Sequence, residues 1–95
     1  MFSIIIPTFN NLKYLKICIS SIKKNSKFKH EIITHINDGQ DGTEEYLITE
    51  KIKYTMTKYN AGICEGVNIA ANEATTSYIL YAHDDFYFCP RWDEV

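Results

Sequence analysis

Three consecutive isoleucines inside the run Phe2-Ser-Ile-Ile-Ile-Pro7 constrain this chain more than any other feature. Successive side chains of a strand point to opposite faces, so an unbroken apolar run suits a strand buried on both sides. Sheets of that kind are parallel and carry helices on both faces, because parallel strands need long crossover connections. Phe2 to Ile6 is read as such a strand, stopped by Pro7.

The rest of the chain supplies the crossovers. Leu12, Leu15, Ile19 and Ile22 share one face of a helix that Asn10 or Asn11 can cap, with Lys23 and Lys24 near its C-terminal end. Glu31 to Asn37 is rich in β-branched residues and ends on the turn signal Asp38-Gly39, which predicts a second strand. Asp41-Gly-Thr-Glu44 places an acidic cap three residues before a glutamate, a variant of the capping box, and predicts a short helix over 43–50. Ile52, Tyr54 and Met56 alternate with Lys51, Lys53 and Thr55, the period of a strand with one better-buried face, as at a sheet edge. After Asn60-Ala-Gly62, residues Ile63, Val67, Ala70, Ala71 and Ala74 recur at helical spacing, and Ser77 to Ala82 reads as a fourth strand. The expected fold is α/β, a Rossmann-like parallel sheet with flanking helices. If three strands wind one way and the fourth returns beside the first, the order is 3-2-1-4, and a ligand crevice opens at the carboxyl ends of strands one and four.

Ninety-five residues at 45% hydrophobic content make one domain, covering 1–95, rather than two. Ten basic and twelve acidic side chains leave a formal charge of -2, which argues against nucleic acid as a partner. No apolar run approaches the roughly 20 residues of a membrane span, so no integral membrane segment is expected. Cys18, Cys64 and Cys89 are odd in number and widely spaced, without a CxxC pair, which fits a reducing, cytoplasmic setting and no structural zinc.

Four polar segments follow the four strands and are expected on one rim: Pro7-Thr-Phe-Asn10, Asn37-Asp-Gly39, Asn60-Ala-Gly62 and His83-Asp-Asp85. Thr8, Phe9 and Asn10 follow a proline at the end of the innermost strand, where backbone can lie beside a flat base; Asn10 can equally cap a helix. Asp38 can accept a hydrogen bond from a nucleobase imide or a ribose hydroxyl, or form an Asx turn with Gly39. Asn60 and Gly62 belong to a loop of the kind that lets backbone approach a ligand. Its spacing is not GxGxxG, and no GxxxxGK[ST] occurs, which weakens dinucleotide and P-loop readings. Adjacent Asp84 and Asp85 repel each other unless solvent or a cation screens them, and magnesium or manganese takes one or two carboxylates together with substrate phosphates. His83 and Cys89 lack a third soft ligand for a transition metal. His30 and His35 are read as surface or strand residues without a role. The aromatic group Tyr78, Tyr81, Phe86, Tyr87, Phe88 and Trp92 is read as core or buried interface rather than a sugar platform.

Taken in order, Phe2 to Asn10, Asn37-Asp-Gly39 with Asp41-Gly-Thr43, Asn60 through Asn68, and Tyr78 to Asp85 resemble the opening half of family 2 glycosyltransferases with the GT-A fold. The resemblance implies binding of a nucleotide-sugar, usually a UDP-sugar, with Mn2+ or Mg2+ bridging protein and diphosphate, for inverting transfer to an acceptor. Thr8 and Phe9 would border the uracil, Asp38 would meet its imide hydrogen, Asp84 would lie near the ribose, and Asp85 would hold the metal. The sequence departs from the family pattern at Asn37, which stands where an acid is common, in a segment one residue shorter than usual. It departs again at His83, where many members carry the first acid of the metal motif, and at Val67, where a basic residue is frequent. The expectation is a donor-binding half of a larger domain, inactive or weakly active alone, with the catalytic base not assigned to any of these residues. The alternative is a non-catalytic module that keeps the fold and self-associates through an exposed sheet edge beside strand four. A sugar nucleotidyltransferase fits less well, because Thr8-Phe9-Asn10 replaces the glycine-rich loop expected after strand one.

Overall fold

A computed structural model of the chain describes residues 1–39 and 41–94. The elements alternate as β1 (Ser3–Thr8), α1 (Leu12–Asn25), β2 (Glu31–Asn37), α2 (Thr43–Thr49), β3 (Lys53–Thr57), α3 (Gly62–Ala71) and β4 (Ile79–Tyr81). All strand pairs are parallel and the order is β3-β2-β1-β4, the expected 3-2-1-4 arrangement. α1 and α2 cover one face and α3 the other, as right-handed crossovers require when the winding reverses at β1.

Strand alternation sorts the core. Ile4 and Ile6 of β1 and Ile36 of β2 meet Leu15, Cys18, Ile19 and Ile22 of α1 and Leu47 of α2. On the opposite face Ile5 and Ile33 meet Ala70 of α3, with Val67 and Ala74 packed alongside. β1 does not stop before its proline: it continues through Pro7 to Thr8 and is buried throughout. The hydrogen bonds explain why. Ser3 N donates to Tyr78 O and Ala82 N donates to Ile5 O, so the odd residues of β1 bond toward β4, whereas Glu31 N donates to Phe2 O on the β2 side. Pro7 therefore directs its missing N–H past the end of β4 and leaves the ladder with β2 intact.

Helix starts also differ in detail. Asn11 occupies the N-cap of α1 without a side-chain cap bond, and the Leu12 N–H is instead met by Asp41 Oδ2 at 3.0 Å. Asp41 also accepts from Thr43 Oγ1 and, at 3.3 Å, from Thr43 N, while Gly42 takes the N-cap position of α2. One carboxylate thus joins the starts of two helices. Burial pushes its pKa up, but the bonds from Thr43 and Leu12 outweigh this and hold it below the usual range. In β3 the buried face extends through Ile52 and Tyr54, whereas Met56 is 42% exposed because the edge strand outruns the helices that cover it.

Residues 86–94 wrap across the far end of α1. Phe88 N donates to Ser21 Oγ, Arg91 N to Asn25 O, and Trp92 Nε1 to Ser26 Oγ. Asp93 accepts from the N–H groups of Lys27 and Phe28, both at 2.9 Å, and from His30 Nε2 at 2.8 Å. Because His30 Nδ1 accepts from Phe2 N, the ring proton sits on Nε2 and the contact with Asp93 is a hydrogen bond from a neutral imidazole. His30 also stacks against Phe2 and lies tilted against Trp92, so the histidine read as a surface or strand residue without a role is a buttress with a buried side chain. Of the aromatic group expected to be buried, Phe88 and Trp92 pack against the core, while Tyr78, Tyr81, Phe86 and Tyr87 are exposed.

Candidate functional site

A cleft of about 350 Å3 opens at the carboxyl ends of β1 and β4, lined by Pro7, Thr8, Phe9, Asn11, Asn37, Asn60, Gly62, Ile63, His83 and Asp84. Three separate loops contribute, one after each strand except β2, whose last residue Asn37 reaches the lining directly, together with the start of α3. This is the crevice expected where the winding of an open α/β sheet reverses.

β1 ends on Thr8, which is buried, and is followed by Phe9, which is 47% exposed and gives the cleft one apolar wall. Thr8 Oγ1 donates to Asp84 Oδ2 at 2.8 Å, so the end of β1 fixes the carboxylate that follows β4. Asp84 is itself only partly exposed, and the neighbouring Asp85 is exposed. The loop that carries them is turned back by Phe86 N donating to His83 O, and Cys18 beneath it contributes a weak S–H bond to the same carbonyl at 3.7 Å. Burial pushes the Cys18 thiol up to about 12, with Asp84 and Asp85 adding to the effect, so this cysteine is a packing group and not a nucleophile.

The opposite wall is built by Asn60 and α3. Asn60 Oδ1 accepts from Gly62 N at 3.1 Å in an Asx turn, and Asn37 Oδ1 accepts from Ala61 N at 3.1 Å. Gly62 opens α3 with φ +82°, a backbone conformation that a side chain would strain, although a Cβ there would meet no neighbour. The first turn of α3 therefore faces the cleft.

Five of the expected site residues, Thr8, Phe9, Asn60, Gly62 and Asp84, come together in this cleft. Asn10, Asp38 and Asp85 stand outside its lining. Asn10 and Asp38 both adopt positive φ, 46° and 48°, and Asp38 N donates to Thr57 O, which extends the β2–β3 ladder by one bond. Five lining residues were not singled out as binding groups: Pro7, Asn11, Asn37, Ile63 and His83. Asn37 carried a signal, since it ends a strand within a polar segment, and its burial shows that it serves the loop opposite.

His35, read as having no role, is fully buried beneath the cleft, with Nδ1 2.7 Å from Thr55 Oγ1. Burial pushes its pKa down, against smaller opposing effects of a hydrogen bond with Asn37 and the charge of Glu65.

Among the described residues no lysine or arginine lines the cleft, whereas Asp84 does. Among the described residues no group of three or more His, Cys, Asp or Glu side chains is placed to hold a metal ion by itself. The adjacent carboxylates of Asp84 and Asp85 match the one or two that magnesium or manganese takes from protein, the remaining oxygens coming from phosphate and water. No helix of the described residues is long and apolar enough to cross a membrane.

The sequence profile of Glycosyl transferase family 2 matches residues 3–95. No curated protein sequence matches. Among solved structures, the chain is similar to the 1–349 fragment of S. aureus TarS in complex with UDP, with a TM-score of 0.86 and 23% identity over 98% of this chain and 30% of that one. The same fragment in complex with UDP-GlcNAc gives a TM-score of 0.81 and 24% identity over 90% of this chain and 27% of that one. A longer S. aureus TarS structure gives 0.84 and 23%, over 95% of this chain and 17% of that one. Likeness at these identities shows a shared fold, and the chain spans less than a third of the length of each of these structures.

Proposed function

This chain belongs to glycosyl transferase family 2, and we propose that its cleft receives the nucleotide of a nucleotide-sugar donor, a UDP-sugar, as the donor-binding part of a transferase that inverts the sugar's configuration. The observation that carries this reading is the convergence of Thr8, Phe9, Asn60, Gly62 and Asp84 on one crevice at the switch point of the sheet. That TarS was crystallised with UDP and with UDP-GlcNAc supports the choice of nucleotide.

Each residue has a chemical part in this reading. Phe9 offers an apolar face to the uracil, and the backbone at Thr8 borders it. Asp38 accepts the imide N–H from just beyond the cleft lining. Asp84, oriented by Thr8, accepts from a ribose hydroxyl, and the turn at Asn60 and Gly62 lets backbone approach the ligand closely. Asn10 closes the rim beside Phe9. A diphosphate entering a cleft lined by an aspartate and by no lysine or arginine meets repulsion that a divalent cation would relieve. Asp85, with Asp84 beside it, would hold Mn2+ or Mg2+. Such an ion, when bound, supplies Lewis-acid neutralisation of charge on the departing diphosphate. The base that activates the acceptor hydroxyl is assigned to none of these residues, so the chain alone binds donor and transfers little or no sugar.

Calorimetric titration with UDP, with and without Mn2+, tests the reading. Weak binding that needs the cation is expected, and Asp84→Ala should weaken it roughly tenfold or more, the scale of a lost hydrogen bond to a charged group. Asp85→Ala should abolish the cation dependence. UDP binding that ignores both the metal and Asp85→Ala would refute it.

A second reading, a self-associating module, draws on the outer edge of β4, which pairs with no strand among the described residues and carries exposed Ile79 next to exposed Tyr78. A monomer by sedimentation at high concentration would remove it.

A further inference from the structure

On the α3 side of the sheet, directly under the cleft, runs a chain of hydrogen-bonding groups that the contacts assigned to the nucleotide leave unused. His35 lies within β2 and is 0% exposed, with Nδ1 2.7 Å from Thr55 Oγ1 and Nε2 3.4 Å from Thr57 Oγ1. Thr57 has one hydroxyl proton, and its 2.6 Å contact with Tyr59 O takes it. Toward Nε2 the Thr57 oxygen is therefore an acceptor, and Nε2 carries the ring proton. Nδ1 is then the acceptor for Thr55. Asn37, 4% exposed, uses its Oδ1 to receive the Ala61 N–H. The order of bonds is Thr55 O–H to His35 Nδ1, His35 Nε2–H to Thr57 Oγ1, and Thr57 O–H to the carbonyl of Tyr59, with the Ala61 N–H held by Asn37 two residues further on.

The ring cannot swing out of this chain. A Cβ at Gly66 would lie 2.8 Å from His35 Cδ2 and 3.5 Å from Asn37 Nδ2, so α3 rests directly on both side chains. A buried chain of this kind is well determined only when each member is satisfied, since an unpaired group there is costly.

We propose that His35 is a positioning residue of the cleft: through the Thr57 hydroxyl it holds the Tyr59 carbonyl, and so fixes where Asn60, Ala61 and Gly62 stand on the cleft wall. The effect on ligand rests on the nucleotide reading; the effect on Ala61 does not. Held neutral by burial, the ring keeps its single N–H for the Thr57 oxygen.

Amide hydrogen exchange followed by NMR on the whole chain without ligand tests the positioning. Exchange at Ala61 should be slow in the unaltered protein. It should accelerate roughly tenfold in His35→Leu, relative to the Ile33 amide of the same strand, as expected for loss of about one hydrogen bond. Thr55→Val removes the far end of the chain while keeping side-chain shape, and gives the same test if His35→Leu does not fold. His35→Gln, which retains an N–H donor, should recover part of the protection. The imidazole 15N spectrum should show a protonated Nε2 and a bare Nδ1. Ala61 exchange unchanged relative to Ile33 in a folded variant, or the opposite tautomer, would overturn the proposal. In the same variants UDP affinity should fall several-fold, and an unchanged affinity with Ala61 released would also overturn it. If the unaltered protein binds no UDP, the nucleotide reading fails while the exchange result still decides whether His35 positions the loop.

Discussion

The two faces of the sheet are built from different materials. Toward α1 and α2, β1 and β2 present Ile4, Ile6 and Ile36, which meet Leu15, Ile19, Ile22 and Leu47 in one continuous aliphatic layer. Toward α3 the buried apolar set is Ile5, Ile33 and Ala70, and β2 fills the rest of that face with Glu31, His35 and Asn37. Each buried leucine or isoleucine contributes roughly 1.5–3 kcal/mol, so the first face supplies most of the hydrophobic stabilisation. The second face, with Gly66 and Ala70 bringing the helix close, holds polar groups in exact relation to one another. Stability and positioning are thus divided between opposite sides of the same strands.

The sharpest way to break this division is Leu15→Ala, which removes a fully buried side chain from the aliphatic face. Urea denaturation should show a loss of about 2–5 kcal/mol, and a loss near zero would mean that the faces share the burden. A smaller effect concerns Glu31 on the polar face. It accepts from Ser3 Oγ at 2.6 Å, Lys53 Nζ at 2.8 Å and Thr75 N at 2.9 Å, joining three strands to the segment after α3. Burial pushes its pKa up, but the bonds from Lys53, Ser3 and Thr75 prevail and lower it from 4.5 to about 2. A depressed carboxyl pKa stabilises the fold above the unfolded value, so this contribution is complete above about pH 4.5 and is lost as pH falls toward about 2. Thermal melts of Glu31→Gln should therefore be lower than those of the unaltered protein at neutral pH and converge with them in acid; a constant difference across that window would contradict the assignment. The smallest effect is expected at Thr34, whose buried hydroxyl has no hydrogen-bond partner among the described residues and faces the aliphatic side. Thr34→Val should leave stability unchanged or raise it by up to about 1 kcal/mol, and a clear loss would show that this face also depends on polar bonding.

This division also explains what could be read from the sequence. Runs such as Ile4 to Ile6 and the helical spacing of Leu15, Ile19 and Ile22 report burial directly, and the strand order followed from them. The cleft residues Thr8, Phe9, Asn60, Gly62 and Asp84 were legible because they follow strands whose carboxyl ends share a rim. The polar face was not. Thr-His-Ile-Asn over residues 34–37 alternates in the same way whether the histidine meets solvent or a glycine of α3, and only Gly66, thirty-one positions away, decides which. His30 was hidden for a similar reason, since its partners Phe2, Trp92 and Asp93 are distant in the chain. Asp41 looked like a cap for its own helix because the Leu12 N–H that it also meets belongs to another.

Pro7 has a consequence for the shape of the crevice. Parallel strands grow like a zipper, each rung needing a donor on the facing chain, and the rung after Ala82 N to Ile5 O would require an N–H that an imino acid does not have. The zipper of β4 onto β1 halts there, and the chain leaves the sheet plane for the His83-Asp84-Asp85 turn. A single ring closure in the backbone thereby acts as a length gauge: it ends β4 after three residues and leaves open the notch in which Thr8 and Asp84 meet.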